Sequence, residues 1–408
     1  MVTLFASLVS FLVQTQLFNS FLKIETAKNQ EDVQEALELS LKAFYPQVMP
    51  PNSRAMWRIR WLNEPGFNPK YIYIIRDGSK IIGGLRTVAR RLYRGDESFS
   101  MLGLAEIFIH PNWQGKKVTL PLISHVLRKA TQEGFDLAGC IARRNIDYFY
   151  TRYGLWGLGS YQQISLKNRP YKPETDNSKE TPDLELKPVK KRDLGKINQF
   201  YIQTYRRSFG HIERSPAYWS WIIKKISFQK LDFLSLNKKD KLIGYLILKG
   251  NHIMELAAMP DISYKMILDF LWRHLFIEKE NDEVLLHIPS RHPLLDEDLQ
   301  TDISLQNREC FYGGHIFKIL NRNHVTTLFK GRLSTFFLQR GIQSCSFEKC
   351  GIDFQWNKPR LSVKIPSASA LNYGQTLILL GVDSIYQSYH DDRLPPPLPL
   401  TISSLDEF

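Results

Sequence analysis

Residues 106–119 read Glu106-Ile107-Phe108-Ile109-His110-Pro111-Asn112-Trp113-Gln114-Gly115-Lys116-Lys117-Val118-Thr119. The apolar run before His110 is typical of a strand, and Pro111 ends it. Apolar residues then recur at helical spacing from about Val118 to Gln132. The turn between them would present backbone N–H groups at a helix N-terminus, which is a favourable place for an anion. We therefore predict a strand, an anion-binding turn and a helix, in that order.

The bulk composition indicates a folded protein of two or three domains. Its 408 residues exceed the usual size of one hydrophobic core, and 43% of them are hydrophobic. The net charge of +13 favours anionic partners such as phosphate groups, nucleic acid or anionic lipid. The basic residues are scattered in short pairs, so this pattern does not favour a nucleic-acid-binding protein.

The cysteines do not form a metal-binding pattern. Four are present, and Cys345 and Cys350 are isolated from other candidate ligands. We therefore expect no metal. Cys140 lies in an apolar strand pattern, where a buried thiol is expected. This use of cysteine suits a reducing compartment, and we expect a cytoplasmic protein.

Residues 1–20 are predicted to be an N-terminal extension. The stretch Met1–Leu22 is largely apolar and has no charged residue. Polar residues interrupt it too often for a spanning helix, and it lacks the basic start and clear cleavage site of a signal peptide. We expect a packing helix or a start codon assigned too far upstream. Weak membrane contact by residues 1–22 is the open alternative.

Residues 21–167 are predicted to form the first domain. The patterns indicate strands and helices in alternation, with a hairpin at Asp77-Gly78 and a helix cap at Asn29. The predicted elements are strand Leu22–Thr26, helices Glu31–Ala43 and Ser53–Leu62, strands Tyr71–Ile75, Ile81–Ala89 and Leu102–Ile109, helix Val118–Gln132, strand Leu137–Ile141, helix Ile146–Tyr153 and a closing strand Gly157–Leu166.

Two further domains follow a polar, proline-containing linker at 168–183. Residues 184–309 partly repeat the first order of elements, but the crossover Ala257–Ser263 has no glycine-rich turn. Residues 310–408 have a different composition. There we expect strands near Gly313-Gly314, at Leu361–Ile365 and at Thr376–Leu380, with helices between them and a proline-rich tail.

A second motif in the first domain reads Phe149-Tyr150-Thr151-Arg152-Tyr153-Gly154-Leu155. Together with the turn at 114–119, it resembles the acyl-CoA loop and tyrosine-bearing helix of GNAT-type N-acetyltransferases. The resemblance implies an α/β (α+β) fold class. The chain departs from the family pattern at Lys117 and Thr119, where relatives have glycine or another small residue. Glycine there lets the backbone approach a pyrophosphate.

The order of all three domains resembles the Eis-like (enhanced intracellular survival) acetyltransferases. This resemblance implies a second, degenerate GNAT-like domain and a sterol-carrier-protein-like C-terminal domain. It further implies acetyl-CoA as co-substrate and a small-molecule or peptide primary amine as acceptor. We expect no CoA site in the second domain, because its crossover lacks the turn. The family often forms hexamers, so homo-oligomerisation is left open.

The resemblance also implies site residues. Backbone groups of three strand residues would bind the pantetheine amides and six turn residues would bind the phosphates: Ile107, Phe108, Ile109, and Gln114, Gly115, Lys116, Lys117, Val118, Thr119. Tyr150 would protonate the departing thiolate, since tyrosine and thiol pKa values both lie at about 8.5 to 10. Glu106 and the C-terminal carboxylate of Phe408 are rival candidates for the base. Either could instead attract a cationic substrate, and Glu106 could simply pair with an arginine.

The sequence therefore favours an acetyl-CoA-dependent N-acetyltransferase in which the amine attacks the thioester directly. The missing glycines keep open a non-catalytic acyl-CoA or lipid-binding protein on a GNAT frame. The acceptor is not specified: aminoglycoside, polyamine, peptide lysine and amino sugar all fit.

Overall fold

The computed structural model describes residues 22–142, 148–158, 160–167, 183–206, 208–278, 283–288, 292–296, 303–309, 314–366, 371–381 and 392–395. The described residues divide into two compact units. The first holds residues 22–89 and 102–134, and the second holds residues 90–101 together with the described residues from 135 onward. The predicted N-terminal extension and most of the predicted linker lie outside the described residues.

The first unit is built on four strands in the order β1-β2-β3-β4. Strands β3 and β4 are long and contribute residues to both units. The elements are β1 (Leu22–Thr26), α1 (Gln30–Phe44), α2 (Ser53–Leu62), β2 (Ile72–Asp77), β3 (Lys80–Arg94), β4 (Glu97–Ile109) and α3 (Thr119–Gln132). The predicted β1 and α2 coincide with the observed ones, and α3 begins one residue after its predicted start.

Helix α1 shows why these local predictions hold. The Asn29 side chain accepts a hydrogen bond from the Asp32 N–H at 2.9 Å, as a helix cap does. Val33, Leu37 and Leu41 recur at helical spacing and are fully buried. They belong to the same core cluster as Trp61 and Phe108, and burial of each such side chain contributes about 1.5–3 kcal/mol.

The second unit contains the other elements. Its strands are β5 (Leu137–Ala142), β6 (Trp156–Gly157), β7 (Ser160–Lys167), β8 (Leu184–Pro188), β9 (Phe209–Ile212), β10 (Asp232–Lys238), β11 (Lys241–Lys249), β12 (His252–Ala258), β13 (Glu283–His287), β14 (Ile303–Glu309), β15 (Gly314–Ile319), β16 (Ser344–Lys349), β17 (Ile352–Asn357) and β18 (Arg360–Lys364). Its helices are α4 (Tyr148–Thr151), α5 (Leu194–Tyr205), α6 (Pro216–Phe228), α7 (Tyr264–Trp272), α8 (Arg322–Gln339) and α9 (Tyr373–Leu380).

Strand pairing in this unit differs from the predicted division of the chain. Strand β7 was expected to close the first domain, but it pairs with β13 and β14 in the sheet ordered β14-β7-β13-β12-β11-β10-β8. Strand β15 follows residue 310, yet it lies between β5 and β6. Residue patterns identify a strand but not its partner, because pairing is decided by contacts distant in sequence.

The segment Thr376–Leu380 is helical, so its assignment as a strand was wrong. It belongs to α9, whose start is fixed by a reciprocal cap between Asn372 and Gln375. Helix α9 then ends at Gly381, which adopts a left-handed conformation with φ of +63°. The apolar run alone did not distinguish a strand from a buried helix.

The strand pairs β2–β3 and β10–β11 have the same register. In the first pair, Ile75 faces Gly83, and the register shifts before Arg76. In the second pair, Leu236 faces Gly244, and the register shifts before Asn237. These two hairpins therefore have the same local geometry. None of the helices within the described ranges is both long and apolar enough to cross a bilayer.

Candidate active site

The turn between β4 and α3 has two residues in the left-handed backbone region. Gly115 has a φ of +76° and Lys117 has a φ of +60°. An L-residue other than glycine rarely adopts this conformation. Lys117 therefore takes the backbone geometry that a glycine would supply at this position. The absence of glycine has not prevented the turn from bending back into the helix.

The start of α3 differs from the start of α7, the helix that follows β12 in residues 184–309. Helix α7 is capped by Ser263, whose side chain accepts a hydrogen bond from the Met266 N–H. Within the described residues, α3 has no side-chain cap at Val118 and no acidic residue in its first turn. A helix start without a side-chain cap is a favourable place for an external anion, because of its N-terminal N–H groups and partial positive charge.

We expect Lys117→Gly to fold at least as stably as the wild type, because glycine removes the left-handed strain. Lys117→Val should be less stable than Lys117→Gly by about 1–2 kcal/mol, since a β-branched residue tolerates this conformation poorly. Urea unfolding measures the difference. Lys116→Val is the matched control, because Lys116 is not in the left-handed region. Equal losses in the two valine variants would contradict the strain argument.

The other residues predicted to bind the cofactor lie in β4 and in this turn, within the first unit. Phe108 is buried against Trp61, with 5.9 Å between ring centroids, whereas Ile107 and Ile109 are half-buried. Two contacts lie within the turn: the Gln114 Nε2 lies 3.4 Å from the Ile109 carbonyl oxygen, and the Lys116 Nζ lies 4.8 Å from the Trp113 ring centroid. Val118 is buried. Lys117 is exposed and Thr119 is half-buried.

Glu106 is buried in an ion-pair cluster, so its pairing with arginine, one of the sequence-based alternatives, is the one observed. Arg86 donates to both Glu106 carboxylate oxygens and also to Glu64, with 2.6 Å between Arg86 Nη1 and Glu64 Oε2. A second guanidinium reaches the same carboxylate, since Arg60 Nη2 lies 3.0 Å from Glu106 Oε1. Burial alone would raise the pKa of Glu106, but Arg86 and Arg60 outweigh burial and lower it. The carboxylate is thus held ionised.

Residues 184–309 contain a counterpart of Glu106, namely Glu255. A Cβ on Gly83 would lie 3.0 Å from the Phe108 carbonyl oxygen, and a Cβ on Gly244 would lie 2.8 Å from the Ala257 carbonyl oxygen. These contacts align β4 with β12 and place Glu106 and Glu255 at equivalent positions. Glu255 also pairs with an arginine, in this case Arg214. A buried Glu–Arg pair therefore also occurs in residues 184–309, where the crossover lacks the glycine-rich turn. This indicates that the pair at Glu106 contributes to structure.

Tyr150 lies in the second unit, on the short helix α4. It is buried, and it lies near Cys140 on β5, where burial raises the pKa of the thiol and the Tyr150 side chain partly offsets that rise. The turn after α4 is tight, because the amides of Tyr153 and Leu155 both donate to the Tyr150 carbonyl, at 3.0 and 3.3 Å. Phe408, the other candidate catalytic residue, lies outside the described residues. In the part of the chain that the structure covers, no cluster of His, Cys, Asp or Glu could hold a metal ion.

Comparison with known families identifies the fold of this region. Residues 23–159 match the model of the acetyltransferase (GNAT) domain family. No curated protein sequence matches the chain.

Solved structures of similar fold cover most of the chain. A GCN5-related N-acetyltransferase from Kribbella flavida is 12% identical, with a TM-score of 0.62 over 95% of this chain and 100% of that chain. Eis1 from Mycobacterium abscessus is 12% identical, with a TM-score of 0.59 over the same shares. A GCN5-related N-acetyltransferase from Anabaena variabilis is 16% identical, with a TM-score of 0.57 over 85% of this chain and 86% of that chain.

The similarity to these solved structures shows a shared fold. The family match assigns residues 23–159 to the acetyltransferase (GNAT) domain family. The chain therefore contains an acetyltransferase (GNAT) domain within a mixed α/β architecture.

Proposed function

We propose that this protein transfers the acetyl group of acetyl-CoA to a primary amine. The observation that carries the proposal is the turn before α3. Lys117 adopts the left-handed geometry expected of a glycine, and Val118, at the N-cap of the helix, makes no side-chain capping bond. Lys116 and Lys117 add positive charge beside it, so the donor set fits the phosphates of CoA.

In the proposed reaction the neutral amine attacks the thioester carbonyl directly, and the thiolate of CoA departs. Residues 114–119 hold the phosphates, and backbone groups of residues 107–109 bind the pantetheine amides and orient the thioester. Tyr150 gives its phenolic proton to the sulfur as the carbon–sulfur bond breaks. Its burial supports this role, because few waters compete for the proton at a buried hydroxyl.

In this proposal the base that takes the proton of the amine is a group other than Glu106. Deprotonating an ammonium requires an acceptor that is not already committed to other cations. Glu106 is bound by Arg86 and Arg60, and its pKa is lowered. Its role in the proposal is to hold β4 in place and to balance the charge of Arg86.

Glu106→Gln separates these two roles. We expect the free energy of unfolding to fall by about 3 kcal/mol, because Arg86 loses a buried partner. The acidic limb of the kcat/KM profile against pH should stay where it is in the wild type. If Glu106 were the base, kcat would instead fall by about 10²-fold or more and the acidic limb would vanish. Glu38→Gln is the control, since Glu38 forms an exposed pair with Arg54.

Two measurements test the function itself. Calorimetry should detect CoA binding by the full chain, and acetyl-CoA turnover should be seen with at least one member of a panel of aminoglycosides, polyamines, amino sugars and lysine peptides. Binding without turnover for any amine would favour the non-catalytic acyl-CoA-binding alternative. No binding at millimolar CoA would overturn the proposal.

A further inference from the structure

Strand β15 completes the framework around Tyr150. It pairs antiparallel with β5, placing Ile316 opposite Cys140, and it also pairs with β6, placing Ile316 opposite Gly157. Strands β5 and β6 are the strands that precede and follow the Tyr150 segment in the chain. Strand β15 therefore lies between the two strands that flank the Tyr150 segment in the chain.

A lysine on β15 contacts the turn that follows Tyr150. The Lys318 ammonium donates to the Tyr153 carbonyl oxygen at 2.5 Å. Lys318 is half-buried, and burial, followed by the nearby charge of Arg322, lowers its pKa. A charged donor in such a setting makes a stronger hydrogen bond than a neutral one.

Backbone groups within this turn also hydrogen bond with one another. The amide of Gly154 donates to the Thr151 carbonyl at 2.9 Å, and the Tyr150 carbonyl accepts two amides. Helix α4 has only one turn, so its own hydrogen bonds stabilise it weakly. The contact from Lys318 is therefore important for the orientation of this segment.

We propose that Lys318 is a positioning residue that holds the Tyr150 turn in place through the Tyr153 carbonyl. The proposal rests on the proposed function, in which Tyr150 is the acid. Lys318 does not reach the reacting atoms in this account. It restrains the backbone that follows Tyr150.

The test compares Lys318→Met, Lys318→Arg and Lys364→Met. The methionine keeps the length of the side chain and removes the ammonium, and arginine keeps the charge. Lys364 is an exposed lysine on β18 and serves as the control. In Lys318→Met we expect amide hydrogen exchange at Tyr153, Gly154 and Leu155 to accelerate about tenfold, because a hydrogen bond from a charged donor is lost. Lys318→Arg and Lys364→Met should exchange as the wild type does.

The kinetic readout is a fall in kcat of about tenfold in Lys318→Met, with the KM for acetyl-CoA little changed and the alkaline limb of the kcat profile displaced. Lys318→Arg should recover most of the rate. Unchanged exchange at residues 153–155 in Lys318→Met would overturn the proposal, and so would faster exchange with wild-type kcat and pH profile. If the wild type acetylates no amine, the proposed function fails, and the exchange rates still decide whether Lys318 holds the turn.

Discussion

Glu255→Gln is expected to lower the free energy of unfolding by about 3–5 kcal/mol. The Glu255 carboxylate and the Arg214 guanidinium are both fully buried and joined by two hydrogen bonds, of 2.8 and 2.7 Å. Tyr245 donates a third, at 2.6 Å, to the same carboxylate. Glutamine removes the negative charge that faces the buried Arg214 guanidinium, and the loss of this buried charge partner accounts for the lower stability.

Urea unfolding at neutral pH measures this effect. Glu213→Gln is a suitable control in the same unit, because the Glu213–Arg91 pair is more than half exposed on both sides. We expect that variant to change stability by less than about 1 kcal/mol. Similar losses of unfolding free energy in the two variants would show that the buried pair stabilises the protein no more than the exposed pair does. Replacing both partners by apolar residues should cost less than Glu255→Gln alone, because no isolated charge is left.

Tyr150→Phe is expected to lower kcat by about 10²-fold, because a positioned general acid contributes at least that much to a rate. The loss of kcat should be largest at a pH where solvent protonates the departing thiolate slowly. The KM for acetyl-CoA should change little, since the phosphate-binding turn is intact. Steady-state kinetics with the best amine acceptor from the panel provides the measurement.

Tyr153→Phe is the matched control for this experiment. The Tyr153 hydroxyl is buried and has no hydrogen-bond partner among the described residues, so its removal should cost neither rate nor stability. A wild-type rate in Tyr150→Phe would show that the acid is misassigned. A comparable loss in Tyr153→Phe would indicate that the segment is sensitive to any change.

Elements defined by local signals could be predicted from the sequence. The bounds of Leu22–Thr26 and Ser53–Leu62 coincide with the observed ones. Their signals are caps, apolar periodicity and turn residues within a few positions of each element. The strand, turn and helix around Gly115 were predicted for the same reason.

Features that depend on distant residues could not be predicted in this way. The partners of β7 and β15 are strands far along the chain, and no local pattern specifies them. Likewise, Glu106 was recognised as a strand carboxylate, but its bond to Arg86 depends on the register between β3 and β4. Lys117 was recognised as a departure from the family pattern, whereas its positive φ is visible only in three dimensions.

The late position of β15 in the chain imposes an order on synthesis. Strand β5 leaves the ribosome long before the strand that pairs with it, since residues 314–319 must follow residue 142. At about 5–20 residues per second, that interval is roughly 10–35 s. During this time β5 has an exposed edge that can recruit another nascent chain. A polypeptide limited to residues 23–159 would keep that edge permanently, and we expect it to aggregate although it contains the whole family match.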